Sequence, residues 1–126
     1  MISIIQVEQI HKSLIDAFGG ADGTRDLPGL ESALARPFQT FDGNELYPDI
    51  VSKTAALIES LLINHPFIDG NKRTAYVVSR ILLRSNKLDI NASQEEKYQF
   101  VVSVASGKTK YDEIVDWLNE HVIKIA

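Results

Sequence analysis

Apolar residues recur along most of the chain at the 3.6-residue spacing of amphipathic helices, with capping residues and prolines between the runs. This pattern predicts six helices and an all-α fold. The fourth predicted helix is apolar on nearly every side, so we expect it to form the centre of the core. The predicted helices cover about residues 3–18, 28–36, 49–64, 71–86, 93–105 and 109–125.

One short segment does not follow the helical spacing. Residues 37–48 read P-F-Q-T-F-D-G-N-E-L-Y-P, in which apolar and aromatic residues flank a turn signal between two prolines. This pattern predicts a small β-hairpin. Because an exposed strand edge can pair with an extended peptide, the hairpin is a candidate substrate flap; an ordinary surface turn is the alternative. The flap residues are Phe41, Asp42, Gly43, Asn44, Glu45 and Leu46.

Composition narrows the class of protein. A chain of 126 residues with 44% apolar and 24% charged residues fits one folded domain over residues 1–126. The formal net charge of −4 argues against direct nucleic-acid binding, which depends on basic patches. The sequence contains no cysteine, which excludes disulfides and thiolate metal sites. It has neither a signal-peptide pattern nor an apolar run of about 18 residues, so we expect a cytoplasmic protein without membrane association.

The segment Asn64–Ala75 holds the densest group of chemically active side chains and reads N-H-P-F-I-D-G-N-K-R-T-A. Pro66 disfavours a helical conformation at His65, and the pair Asp69-Gly70 is typical of a tight turn. The segment is therefore predicted to be a loop between the third and fourth helices.

Three chemical roles are predicted within this loop. A neutral imidazole at His65 can accept a proton from an attacking hydroxyl near pH 7, so His65 is the candidate general base. The carboxylate of Asp69 suits Mg²⁺, which takes few protein ligands beside phosphates. The start of the next helix offers N–H groups and added positive charge to a phosphate, and the predicted phosphate-binding residues are Gly70, Asn71, Lys72 and Arg73. Together they indicate transfer of a group from a nucleotide to a hydroxyl.

The run H-P-F-I-D-G-N-K-R-T-A resembles the signature of the Fic/Doc superfamily, H-x-F-x-D/E-G/A-N. It is most similar to the death-on-curing (Doc) branch, in which N-K-R-T-A replaces the N-G-R-x-x-R of the Fic branch. Residues 30–37, L-E-S-A-L-A-R-P, and 45–48, E-L-Y-P, also resemble Doc-type sequence. The resemblance implies a Fic-like helical domain. In it, His65 is the catalytic base, Asp69 is the magnesium-linked acid, and Gly70 to Arg73 form the phosphate-binding turn.

The residue that follows the asparagine of the motif separates two activities of the superfamily. Fic proteins generally transfer AMP, with the α-phosphate against a small glycine, whereas this sequence has Lys72 there and Tyr76 in place of the second Fic arginine. The resemblance therefore implies a toxin kinase that moves a phosphate from ATP or another nucleoside triphosphate to translation elongation factor Tu. It also implies inhibition by a separate antitoxin chain, because the inhibitory pattern S/T-x-x-x-E-G/N of some Fic proteins has no match here.

Two alternative functions stay open. A Fic-type adenylyltransferase would use the same residues to transfer AMP, and a non-catalytic module would use the flap to hold a protein partner. A zinc hydrolase is disfavoured, because His65 and Asp69 leave a zinc site at least one protein ligand short.

The remaining polar and apolar residues of note receive structural interpretations. Phe67 and Ile68 are expected to point into the core and hold the loop. His11 and His121 are expected on helix faces without a carboxylate-rich neighbourhood, in structural or solvated positions. Three cations near the C-terminal end of the fourth helix are interpreted as positive charges that interact favourably with the negative end of the helix dipole, namely Arg80, Arg84 and Lys87.

Overall fold

The computed structural model describes residues 2–125; Met1 and Ala126, the ends of the predicted 1–126 domain, lie outside the described residues. The described residues form six α-helices, one 3₁₀ turn and two two-stranded antiparallel sheets, which confirms the predicted all-α class. None of these helices is long and apolar enough to cross a membrane. The helices are α1 Ile4–Phe18, α2 Leu27–Ala35, α3 Ile50–Asn64, α4 Asn71–Arg84, α5 Gln94–Ala105 and α6 Tyr111–His121. The strands are β1 Thr40–Phe41, β2 Asn44–Glu45, β3 Leu88–Ile90 and β4 Val122–Lys124, and the 3₁₀ turn is Arg36–Phe38.

Short polar side chains start the helices where the sequence predicts. At the start of α3, Asp49 Oδ1 accepts a hydrogen bond from the N–H of Ser52 at 2.8 Å. Ser93 and Glu96 form a capping box at the start of α5, in which each side chain accepts the other residue's N–H, at 3.1 and 2.9 Å. These bonds satisfy N–H groups that a helix leaves without an internal partner.

The central helix of the core is α3, so the expectation that the fourth helix forms the centre is wrong. Helix α3 packs against α2, α4, α5, α6 and the 3₁₀ turn. Helix α4 has one open face, on which Ile81 keeps an exposed fraction of 49%. Small side chains on α3 let its neighbours approach from several sides. The buried residues of α3 are Ser52, Thr54, Ala55, Ala56, Leu57, Ile58, Ser60, Leu61 and Leu62.

A second small sheet, formed by β3 and β4, lies in the C-terminal part of the chain. The sequence pattern did not predict it. The sixth helix ends at His121, and Val122 begins β4 instead of continuing the apolar face of the helix. Strand β4 pairs with β3 in the register Leu88↔Lys124 and Ile90↔Val122. Strands of three residues are too short for an alternating pattern to distinguish them from a helical run.

The arginines near the end of α4 bind a specific carboxylate, which the charge-and-dipole interpretation did not include. Arg80 donates two hydrogen bonds of 2.9 Å to the two oxygens of Asp89, and Arg84 donates a third of 2.9 Å. The Arg80 hydrogen bond holds the pKa of the Asp89 carboxyl below its ordinary value. Because Asp89 lies on β3, these bonds attach the small sheet to α4.

Candidate active site

The motif forms the predicted loop between α3 and α4, and two residues in left-handed conformation bound it. His65 follows the last residue of α3 with φ 49° and ψ 56°. Gly70 precedes α4 with φ 73°. Pro66 prevents α3 from continuing through His65, and glycine adopts a positive φ without steric cost. The chain therefore leaves one helix and enters the next within six residues, His65 to Gly70.

The hydrogen bonds of His65 define which ring nitrogen can act as a base. Nδ1 lies 2.9 Å from the carbonyl oxygen of Leu62. A carbonyl only accepts, so Nδ1 carries the proton of the neutral ring and Nε2 carries the lone pair. Arg25 donates to the main-chain oxygen of His65 at 2.7 Å and so helps to fix the backbone at this residue. The imidazole is thus held with Nε2 as its basic nitrogen.

Asp69 is exposed, and three hydrogen bonds fix its position. Its Oδ1 accepts the N–H of Gly70 at 2.9 Å, and its Oδ2 accepts the N–H of Ala21 at 3.2 Å. Its main-chain oxygen lies 2.7 Å from Nε2 of His11. Each carboxylate oxygen has a second lone pair, which can still bind a cation.

The first turn of α4 has the features of an anion site. Gly70 at the N-cap has no side chain to cap the helix. The N–H groups of Asn71, Lys72 and Arg73 belong to the first turn and have no acceptor within the helix, while Thr74 N–H bonds to the carbonyl of Gly70 at 3.0 Å. These three N–H groups and the positive end of the helix dipole can bind a phosphate.

The side chain of Asn71 holds the loop and is not directed to an anion. Its Oδ1 accepts the N–H of Phe67 and its Nδ2 donates to the carbonyl of Phe67, both at 2.9 Å. The residue is buried, with an exposed fraction of 8%. Asn71 is one of the predicted phosphate-binding residues, but only its main-chain N–H is available to an anion, because both polar atoms of its side chain bind Phe67.

Phe67 and Ile68 point in opposite directions, so the expectation that both enter the core is half wrong. Phe67 is buried with an exposed fraction of 1%, whereas Ile68 is exposed at 55%. The loop forms an antiparallel bridge between Phe67 and Thr24, and Ile68 N–H donates to the carbonyl of Gly23 at 3.1 Å. Successive side chains of such an extended pair alternate between its two faces.

The loop lines one side of an open groove of about 660 Å³ that continues to α5. His65 and Asp69 lie at the loop end of the groove, and Tyr98 lines it from α5. Lys97 Nζ lies 5.2 Å from the ring centroid of Tyr76, and burial raises the pKa of the Tyr76 phenol. Four cations line the groove, namely Lys72, Arg73, Lys97 and Arg80, the last of which is paired with Asp89. The groove therefore suits a ligand with several negative charges.

The groove includes residues that the sequence argument missed. Arg80 follows Arg73 by two helical turns, a spacing that puts both residues on one face of α4. This spacing could have identified Arg80 as a residue of the groove. Lys97 and Tyr98 come from α5, where a lysine and a tyrosine on an exposed helix face carry no distinguishing signal. Only the packing of α5 against α4 brings them to the motif.

The predicted hairpin exists but lies apart from the loop. Asp42 and Gly43 have φ angles of 52° and 80°, as the two central residues of a type I′ turn require. Glu45 binds Lys53 on α3 at 2.9 Å, so the hairpin packs near the start of that helix. The 15 residues of α3 rise by about 22 Å before His65. Within residues 2–125, none of the six flap residues lines the groove; their contact with a substrate stays a prediction.

Each of the two remaining histidines has one carboxylate neighbour, and neither lines the groove. His11 is buried, and its Nδ1 lies 3.6 Å from Asp22. His121 Nε2 lies 3.2 Å from a carboxylate oxygen of Glu96. The tertiary fold creates both contacts: Asp22 lies beyond the end of the helix that carries His11, and Glu96 lies on a different helix from His121.

The family model described as Fic/DOC family matches residues 2–83, a range that includes the loop and the hairpin. The chain belongs to the Fic/DOC family. Over 76 residues it is 43% identical to "Toxin Doc" of Mycolicibacterium smegmatis, a match that covers 60% of this chain and 58% of that relative. Over 117 residues it is 28% identical to "Protein kinase doc" of Escherichia phage P1, covering 93% of this chain and 91% of the relative.

The donors at Asp69 fit magnesium shared with phosphates. Within residues 2–125, no group of three or more His, Cys, Asp or Glu side chains is arranged to hold a metal ion. Mg²⁺ needs no such group, because it is commonly held by one or two carboxylates together with substrate phosphates and water. The exposed Asp69 carboxylate beside an uncapped helix N-terminus supplies both kinds of contact.

Proposed function

We propose that this protein is a Doc-type toxin kinase, which transfers the γ-phosphate of ATP or another nucleoside triphosphate to a hydroxyl of a target protein. One observation carries the proposal: the imidazole of His65, the carboxylate of Asp69 and the uncapped start of α4 line one groove. Membership of the Fic/DOC family and the likeness to a relative named "Protein kinase doc" support it.

His65 is the general base of the proposed reaction. Its Nε2 lone pair takes the proton of the target hydroxyl while the hydroxyl oxygen forms a bond to the γ-phosphorus. The bond between the γ-phosphorus and the oxygen bridging to the β-phosphorus breaks, and ADP leaves with that electron pair. The products are the phosphorylated protein, ADP and one proton, which His65 releases to solvent.

The first turn of α4 binds the phosphates in this proposal. The N–H groups of Asn71, Lys72 and Arg73 donate to phosphate oxygens, and the side chains of Lys72 and Arg73 offset the negative charge. Asp69 holds Mg²⁺, which neutralises charge on the phosphates when it is bound. The chain's own contribution is to orient the nucleotide so that its terminal phosphate faces His65.

Lys72 favours transfer of the terminal phosphate over transfer of AMP. Its exposed side chain lines the groove directly after Asn71. AMP transfer needs the α-phosphate close to this point, where a lysine side chain occupies space that a glycine would leave open. The ammonium group can instead accompany the γ-phosphate to the target hydroxyl.

The proposed target is translation elongation factor Tu, whose phosphorylation would inhibit translation in the cytoplasm. The proposed regulator is a separate antitoxin chain that blocks the groove. The likeness to a relative named "Toxin Doc" supports the toxin role.

Labelled nucleotides test the reaction. We expect the purified protein to transfer label from γ-³²P-ATP, and none from α-³²P-ATP, to purified elongation factor Tu in the presence of Mg²⁺. His65→Ala should remove the transfer, because the hydroxyl loses its base, while His121→Gln, a histidine outside the groove, should retain it. Transfer from the α position alone would identify an adenylyltransferase and overturn the kinase proposal.

Growth of cells that express the protein separates chemistry from simple binding. We expect the intact protein to inhibit growth and His65→Ala to relieve the inhibition. Equal inhibition by both proteins at matched expression would instead indicate a non-catalytic binding module.

A further inference from the structure

The loop after α1 is fitted closely around the carboxylate of Asp69. Ala21 N–H donates to Asp69 Oδ2 at 3.2 Å. At Gly20, which has φ 115°, a Cβ atom would lie 2.7 Å from that same oxygen. Cβ atoms essentially never come this close to another atom, so a larger residue at position 20 would require the carboxylate or the loop to shift. Neighbouring Gly19, with φ 90°, has no atom within 4 Å of an added Cβ.

His11 supports the same residue from the core side of the loop. Its ring stacks on the ring of Phe67, with centroids 3.9 Å apart and an interplanar angle of 7°. Its Nε2 lies 2.7 Å from the main-chain oxygen of Asp69, which only accepts, so Nε2 carries a proton and donates. A buried histidine in this geometry cannot reach a substrate, because it contacts the loop from within the protein.

We propose that α1 and the loop after it position Asp69 for its role in the active site, with His11 as the positioning residue and Gly20 and Ala21 as the seat of the carboxylate. The inference rests on the proposed function. His11 fixes the main chain of Asp69, while the seat fixes its side chain, so an exposed carboxylate keeps one orientation. Such supporting contacts typically change metal affinity or activity by about 10–100-fold when they are removed.

Paired glycine substitutions test the seat. We expect Gly20→Ala to displace the carboxylate, to lower the affinity for Mn²⁺ with bound ADP about tenfold, and to lower kcat with little change in KM for the protein substrate. Gly19→Ala is the matched control, because it strains a positive φ in the same way without contacting Asp69. Proton relaxation of water reports the Mn²⁺ affinity. Equal Mn²⁺ affinities for the two variants would overturn the proposal.

Substitutions at His11 test the main-chain contact. We expect His11→Leu to lower Mn²⁺ affinity and kcat about tenfold, and His11→Gln, which keeps an N–H donor of similar reach, to restore most of both. Should His11→Leu unfold the protein, the comparison of His11→Gln with wild type and the glycine pair still decides. Loss of thermal stability without a change in Mn²⁺ affinity would reduce His11 to a packing residue and contradict the inference.

A measurement without nucleotide keeps this test separate from the proposed function. The ¹³C resonance of the Asp69 carboxyl group should shift in Gly20→Ala and remain in place in Gly19→Ala. If the wild-type protein transfers no phosphate, the kinase proposal fails, and the resonance still shows whether the seat orients Asp69. If transfer occurs and neither the resonance nor the Mn²⁺ affinity responds to Gly20→Ala, only the positioning inference fails.

Discussion

At the scale of single residues, the active-site loop depends on polar side chains that bond to its own main chain. Asn71 uses both atoms of its amide on the main chain of Phe67. This pair of bonds closes the loop over four residues and keeps the ring of Phe67 buried against His11 of α1. The amide thus fixes the path of the main chain that carries His65 and Asp69.

Asn71→Asp should destabilise the protein by about 1–3 kcal/mol, because the carbonyl of Phe67 loses its donor and meets a buried carboxylate. Urea unfolding followed by circular dichroism measures the free energy of unfolding. Asn91→Asp, on an exposed loop residue, is the control and should change it by less than about 0.5 kcal/mol. Equal effects at the two positions would show that the amide contributes no stability.

The sequence alone could identify the chemistry of the loop but not its supports. His65 and Asp69 are four residues apart, so their proximity follows from local chain geometry. The donor to the Asp69 main chain, His11, is 58 residues away and looks like an ordinary polar residue on an amphipathic helix. Contacts of this kind depend on tertiary packing, which no local pattern encodes.

At the scale of elements, the sequence pattern predicts which segments are helices more securely than which helix is central. Because α4 is apolar on nearly every side, the sequence predicts that it is the central helix of the core. The central helix is α3 instead, because the small alanines at 55 and 56 allow neighbouring elements to pack closely on several sides. In α4 the apolar positions leave one face for Arg73 and Arg80, which line the groove. Hydrophobicity indicates burial, but the sizes of neighbouring side chains decide how many elements surround a helix.

The hairpin offers an element-scale prediction for substrate binding. Gly43→Val should distort the type I′ turn at a local cost of about 1–3 kcal/mol, because a β-branched residue disfavours a φ of 80°. If the hairpin binds the protein substrate, KM for that substrate should rise about tenfold. Affinity for ATP should remain unchanged, because α3 separates the hairpin from the groove.

The control for the hairpin is Gly107→Val. Gly107 has the same φ of 80° but lies in the turn between α5 and α6. The variant should lose comparable stability while KM for the protein substrate stays at the wild-type value. An unchanged KM in Gly43→Val would remove the hairpin from the substrate site and leave it an ordinary surface turn.

At the scale of the whole molecule, the charges that join the C-terminal elements make stability depend on pH. His121 stacks on Trp117 with ring centroids 4.0 Å apart, and Nδ1 lies 2.7 Å from the Trp117 carbonyl. Partial burial by itself lowers the pKa of His121, but the hydrogen bonds to the Trp117 carbonyl and the Glu96 carboxylate outweigh it and raise the pKa. Both ring nitrogens face acceptors, so the fold favours the imidazolium.

His121 and Glu96 contribute to the free energy of unfolding over different ranges of pH. A raised folded-state pKa means that the His121 contribution is complete below its ordinary value of 6.5 and is lost as pH rises through the folded value. The hydrogen bond from the Ser93 N–H lowers the pKa of Glu96, so its contribution is present above the ordinary value of 4.5 and is lost as pH falls. Asp89 behaves like Glu96, because Arg80 lowers its pKa.

We therefore expect the free energy of unfolding to be highest between about pH 5 and pH 6.5 and to fall on both sides. His121→Gln should flatten the decrease above pH 6.5, since glutamine does not titrate. It should reduce the acid-side decrease only in part, because His121 contributes to the lowered pKa of Glu96 while the Asp89 contribution remains. Asp89→Asn should flatten the acid side and leave the decrease above pH 6.5 in place. Urea midpoints measured from pH 4 to pH 9 test both variants. A wild-type decrease above pH 6.5 that persists in His121→Gln would mean that another group causes it.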